Sequence, residues 1–243
     1  MKPTPSAPAA TVSGRKVLAV LGIWILSSAF LATGSWFLSF GSLGASSETP
    51  TLLATFLVYL LLPLSSLIVF RWSGVRDRLR LRPTQPRWLA IALLVWVGVL
   101  IVCALVYLGI GFAGGSWAGP LLDVVREVTD VARFNAATPV DWALIIVRAL
   151  LLAGIAEELL FRGILFGWLR GRLSAWPVIL ITTALFTVEH IYPLVFPLVV
   201  FLGLALGWLR EKSGSILPGL MLHVLTDSLL FVVALSLSTH GVR

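Results

Sequence analysis

Residues 149–169 read ALLLAGIAEELLFRGILFGWL. About 20 apolar residues in a helix span a bilayer, and this stretch is long and apolar enough to do so. Yet it carries Glu157, Glu158 and Arg162. A charged side chain at the centre of a membrane helix costs roughly 3 kcal/mol on insertion scales, so such a group is retained for a reason and with partners. The rest of the chain is equally apolar. Its 243 residues are 58% hydrophobic and only 12% charged, with a mean hydropathy of +1.00. A soluble domain carries about 25% charged residues. These numbers imply one all-α, polytopic transmembrane bundle and exclude a soluble enzyme.

Outward from this stretch the spans follow one another. Residues 1–14, rich in Pro, Ala, Ser and Thr, read as a disordered tail, and 15–243 as a single transmembrane domain. Arg15 and Lys16 precede a first span at about 17–40, too long for a cleaved signal core. Further spans are expected at about 51–70, 88–112, from Trp142 through the quoted stretch, 175–192, 194–209 and 216–237, about seven in all. In the connection 114–141, Leu121, Val125, Val128 and Val131 recur at helical spacing with Asp123, Glu127 and Asp130 between them. That pattern predicts an amphipathic helix at the interface.

Charge sets orientation. The loop RWSGVRDRLRLRPTQPR at 71–87 carries six Arg against Asp77 alone. This loop, Arg15 and Lys16, Arg170 and Arg172, and Arg210 and Lys212 fall on one side of the alternating spans. The Lys/Arg rule makes that side cytoplasmic and puts the N terminus there, in a bacterial-type plasma membrane. The net charge of +7 is thus membrane anchoring, with no nucleic-acid partner expected. Trp72, Trp88, Trp142, Trp176 and Trp208 lie near span ends, as an aromatic belt does. Cys103 is the one cysteine and sits in an apolar run, which excludes an internal disulfide and a thiolate zinc cluster.

Ionisable groups within apolar runs concentrate in the C-terminal half: Glu157, Glu158, Arg162, Glu189, His190, His223 and Asp227. Glu158 and Arg162 are four apart and can pair. Glu157 is about 100° around an α-helix from Glu158 and is expected to point elsewhere, as the free carboxylate. The alternative is a salt-bridged knot of all three. Phe186 and His190 are four apart, and so are His223 and Asp227, which makes Asp227 the expected partner that fixes the His223 tautomer. With a hairpin turning at Leu173–Ser174, Glu157 lies 16 residues before the turn and His190 16 after it. At about 1.5 Å rise per residue they return to one depth.

A carboxylate beside imidazoles, away from bulk water, can deprotonate a water molecule, and a second imidazole can donate to an oxyanion. The same Glu, two His and Asp could instead hold a divalent metal such as zinc. Either route gives peptide hydrolysis. No Ser or Cys forms an obvious dyad with these histidines, which disfavours covalent catalysis.

The ordered motifs EELLFR at 157–162, FTVEH at 186–190 and HVLTD at 223–227 fit EExxxR, FxxxH and an HxxxN variant. Over about 142–237 the chain thereby resembles the CPBP family, which comprises type II CAAX prenyl endopeptidases and bacteriocin-processing or self-immunity (Abi) membrane proteins. The resemblance implies that Glu157 activates water with Glu158 and Arg162 in support, that His190 holds the water, and that His223 and Asp227 stabilise the oxyanion or bind metal. It implies an intramembrane endopeptidase acting near the C terminus of a membrane-associated, CAAX-type peptide. A non-catalytic immunity factor or scaffold of the same fold is the alternative, and a proton-coupled transporter a third, without an inverted repeat to support it. Two departures stand out. Asp227 replaces the Asn usual in the eukaryotic enzymes, and a charged Asp cannot donate to an oxyanion. Glu189 adds an acid beside His190.

Overall fold

The computed structural model describes residues 13–41, 80–114, 139–147, 153–190 and 193–239, together with scattered positions between 53 and 68. Residues 1–12 of the expected tail, most of the second span, 71–79 of the basic loop and the amphipathic helix expected in 114–141 lie outside the described residues, as does Trp72, while Gly14 already belongs to the first helix.

Among the described residues the chain is all helix: α1 (Gly14–Gly41), α2 (Pro86–Ala113), α3 (Pro139–Ile146), α4 (Ala153–Glu157), a π-helical segment (Glu158–Leu165), α5 (Phe166–Arg170), α6 (Ala175–Glu189), a 3₁₀ turn (Pro193–Val195), α7 (Phe196–Ser213) and α8 (Leu217–Thr239). Helix α2 starts where a helix tolerates proline, with Pro86 in its first turn. It buries a single stripe, Ala92, Val99, Cys103, Tyr107 and Gly111, and turns Leu94, Leu105 and Phe112 outward. A nearly all-round apolar helix with one packed stripe suits lipid. Among the described residues α2 alone is both long and apolar enough to cross a membrane; α6 and the 217–233 part of α8 are apolar but shorter.

Helix α7 is the centre of the bundle, packed on α6, α8, α2 and the π segment. Its contact with α6 depends on small residues. A Cβ on Gly203 would lie 2.8 Å from Thr183 Cγ2, and one on Gly207 would lie 3.1 Å from Ile179 Cγ2. This Gly-x-x-x-Gly face lets the helices approach closely where no hydrophobic effect drives them together. Helix α7 ends at Gly214, whose φ of 69° is the left-handed cap that glycine accepts without strain. Just before α7 the chain forms the 3₁₀ turn Pro193–Val195, and Tyr107 on α2 donates its hydroxyl to the Leu194 carbonyl at 2.7 Å. Irregular backbone at membrane depth needs such a donor.

The basic ends gather at one end of the bundle. The Ser215 hydroxyl donates to the Arg82 carbonyl and the Ile216 N–H to that of Arg80. Arg170 makes two 2.9 Å bonds to Glu211 and holds that carboxyl below its ordinary range. Trp88 and Trp208 meet edge to face at 6.3 Å at the same end, and the Arg172 guanidinium lies 4.4 Å from the centre of the Trp168 ring. The hairpin expected at Leu173–Ser174 is present, between α5 and α6.

Candidate active site

The π segment is the local feature that the expected α-helix did not contain. Its last bond runs from the Phe166 N–H to the Phe161 carbonyl, five residues back. In an α-helix that N–H would serve the Arg162 carbonyl. The carbonyl so released accepts a 2.9 Å bond from Arg210 Nε of α7, and the Arg210 guanidinium also lies 5.4 Å from the Phe166 ring centre. All eight residues of the π segment are buried. π segments inside helices occur mostly at functional sites.

Arg162 and Glu158 pair as expected, at 2.9 Å, and both are 0% exposed. Arg162 Nη2 also donates to the Gly203 carbonyl at 3.4 Å, and the guanidinium lies 4.4 Å from the Phe186 ring centre. Glu158 has a second task. Its Oε1 lies 3.3 Å from His223 Nδ1. Glu157, expected to face elsewhere, approaches the same ring, with Oε2 3.5 Å from His223 Nε2. Both expectations for Glu157, a free carboxylate or one member of a three-way knot, are corrected by this arrangement. The two glutamates diverge, but an imidazole carries its nitrogens on different edges, and His223 stands between them.

Asp227 does not fix the His223 tautomer. Its Oδ2 is 3.8 Å from Nε2, beyond hydrogen-bond reach. Glu158 occupies Nδ1 instead, and because a carboxylate only accepts, Nδ1 carries the hydrogen and donates it to Glu158 Oε1. Gly154 of α4 gives Asp227 and His223 their space, since a Cβ there would lie 3.8 Å from each.

His190 caps α6, with Nδ1 2.8 Å from the Phe186 carbonyl. A carbonyl only accepts, so Nδ1 carries the hydrogen and Nε2 presents a lone pair. The Phe186 ring links the two histidines, 4.7 Å from His190 and 5.6 Å from His223, both edge to face. Phe186, expected as a supporting residue, is 0% exposed. The three motifs thus meet around one aromatic ring and one imidazole.

Among the described residues no three His, Cys, Asp or Glu side chains are placed to hold one metal ion. The set Glu157, His190, His223 and Asp227 therefore does not fit a zinc site here, and no step is derived through a metal.

Residues 139–229 match the family described as type II CAAX prenyl endopeptidase Rce1-like. Over this segment the chain is similar to that family. No curated protein and no solved structure matches the chain. The family is one of membrane-embedded proteases, and the segment matched to its domain contains all of the residues singled out above, from Glu157 to Asp227.

One contributor to the site lies outside that domain. Trp24, in the middle of α1, donates its indole N–H to Glu189 Oε1. Its ring lies 6.2 Å from that of Phe161, edge to face. The first span holds no charge, so a search for buried ionisable groups passes over it. The available signal was a mid-span tryptophan, whose N–H needs a partner when buried.

Proposed function

We propose that this protein is an intramembrane endopeptidase that cleaves near the C terminus of a membrane-associated, CAAX-type peptide. The observation that carries the reading is His223 flanked by Glu157 at Nε2 and Glu158 at Nδ1. Glu157, 7% exposed, is the general base. It takes a proton from a water that the His190 Nε2 lone pair also holds, and the water oxygen attacks the scissile carbonyl. His223, oriented through Nδ1 by Glu158, turns Nε2 toward the reacting carbon and, when protonated, donates to the oxyanion. The proton on Glu157 then passes to the leaving amine. Asp227 lies beside Nε2 as a counter-charge. Arg162 keeps Glu158 in place.

The bundle is read as crossing the plasma membrane about seven times with the N terminus in the cytoplasm, and the peptide reaches the site within the bilayer. The probe is an internally quenched, prenylated peptide ending in Cys-aliphatic-aliphatic-X. With the full chain reconstituted in liposomes, wild type cleaves it and Glu157→Ala does not, while both insert and fold alike. Equal turnover by the two proteins removes Glu157 as the base. Survival of a cellular phenotype in Glu157→Ala would favour the non-catalytic immunity or scaffold reading.

A further inference from the structure

The mechanism above leaves one half-buried acid unused. Glu189 ends α6, directly before His190, in a helix that is otherwise apolar. Trp24 of α1 donates to its Oε1. Its Oε2 is shut off from the surface and has no hydrogen-bond partner among the described residues. A buried carboxylate oxygen without a donor costs about 1–3 kcal/mol or more, so a retained one marks a place where a donor arrives. Its partner Trp24 packs on Phe161, and Phe161 on Phe186 at 5.4 Å, which places Glu189 at the edge of the same site.

Helix α1 is built to deliver Trp24. It presents Val17, Val20 and Trp24 to the core, with 1%, 2% and 7% exposure, and turns Leu18, Ile25 and Leu26 outward. These three inward residues lie on one helical face, and the indole that grips Glu189 is part of that stripe. The carboxyl is therefore gripped through Oε1, while Oε2 is left without a partner among the described residues.

We propose that Glu189 is a specificity-determining residue, its Oε2 accepting a backbone N–H of the bound peptide beside the scissile bond, with Trp24 as its positioning residue. The inference rests on the endopeptidase reading. A peptide N–H brought into an apolar site loses its water and needs an acceptor. His190 and Glu157 are engaged with the attacking water, and Glu189 is the adjacent acceptor with a free lone pair. The anchor would fix the register of the peptide and so decide which bond meets the water.

The test uses the full chain in liposomes and the prenylated quenched peptide, together with analogues in which single backbone amides are replaced by esters. Glu189→Gln and Glu189→Ala are expected to raise KM about tenfold or more while kcat changes little, the loss expected for one charge-assisted hydrogen bond. Trp24→Phe keeps the ring packing and is expected to raise KM in the same direction. One ester position should raise KM for wild type and have no further effect in Glu189→Ala. Binding of the same peptides to Glu157→Ala, followed by fluorescence anisotropy, should show the same dependence on Glu189 without turnover. A fall in kcat with KM unchanged, or no ester position coupled to Glu189 in either assay, overturns the proposal. No cleavage of the peptide by wild type would instead strike at the endopeptidase reading, and the anisotropy arm would still decide the role of Glu189.

Discussion

Replacing Arg162 by methionine tests the buried charge network most severely. The guanidinium and the Glu158 carboxylate are both 0% exposed and 2.9 Å apart. Glu158 Oε2 has no partner among the described residues, and Gly219 packs so closely that a Cβ there would lie 3.1 Å from it. With Arg162 removed, Glu158 keeps only His223 Nδ1, at 3.3 Å. Breaking a buried pair on one side costs about 3–5 kcal/mol, because an uncompensated charge remains. Arg162 also fills space against Phe186, and a methionine restores part of that contact. Arg162→Met is therefore expected to lose about 3–5 kcal/mol in reversible unfolding from mixed micelles. The double variant Glu158→Leu/Arg162→Met should recover most of that loss, since apolar replacement of a whole buried pair is close to neutral. It should still be inactive, because nothing then holds His223 Nδ1. A double variant as unstable as Arg162→Met, or one that retains turnover, would refute the reasoning.

Other outcomes follow from the same geometry. Gly203→Leu should lower stability by about 1–3 kcal/mol, read by the same unfolding assay, because its Cβ alone would come within 2.8 Å of Thr183. Tyr107→Phe should cost about 1–3 kcal/mol by leaving the Leu194 carbonyl without its donor. The Arg170–Glu211 pair gives a small pH dependence. Arg170 holds the Glu211 carboxyl below its ordinary value. Its stabilisation is therefore present above the unfolded carboxyl pKa of about 4.3 and is lost as pH falls through the lower folded value. Because the pair is partly exposed its size is at most about 1 kcal/mol. Glu211→Gln should remove it at neutral pH and flatten that part of the unfolding-versus-pH profile.

Much of the bundle was legible because lipid leaves few choices. Apolar runs bounded by Arg, Trp and Gly placed α2, α7 and α8 to within a few residues, and the Arg-Gly-Arg and Ser positions marked the α5–α6 turn. The turn does bring α6 against the π segment that carries Glu158. The error at Glu157 came from assuming α-helical geometry and judging each side chain by its own direction. ELLFRGIL carries nothing that distinguishes a π register from an α one. What stabilises it is Arg210, 48 residues away, which satisfies the released carbonyl. The partner of His223 was misjudged for a related reason. The i, i+4 spacing made Asp227 the near candidate, but Glu158 on another helix wins the ring nitrogen at 3.3 Å against 3.8 Å. The Gly203–Gly207 face was readable as small residues four apart, and its meaning depended on knowing that α6 lies against it.

The claim beneath all of this is that one imidazole is flanked by two carboxylates delivered from another helix. Solid-state NMR on bilayer-embedded protein, with ¹⁵N-histidine and side-chain ¹³C-carboxyl-labelled glutamate, reads it directly. Two His223 nitrogen contacts are predicted, Nδ1 to Glu158 and Nε2 to Glu157, matching the 3.3 and 3.5 Å approaches, each lost in the corresponding Glu→Gln protein labelled in the same way. A His223 ring without a contact to the Glu157 carboxyl would contradict the account.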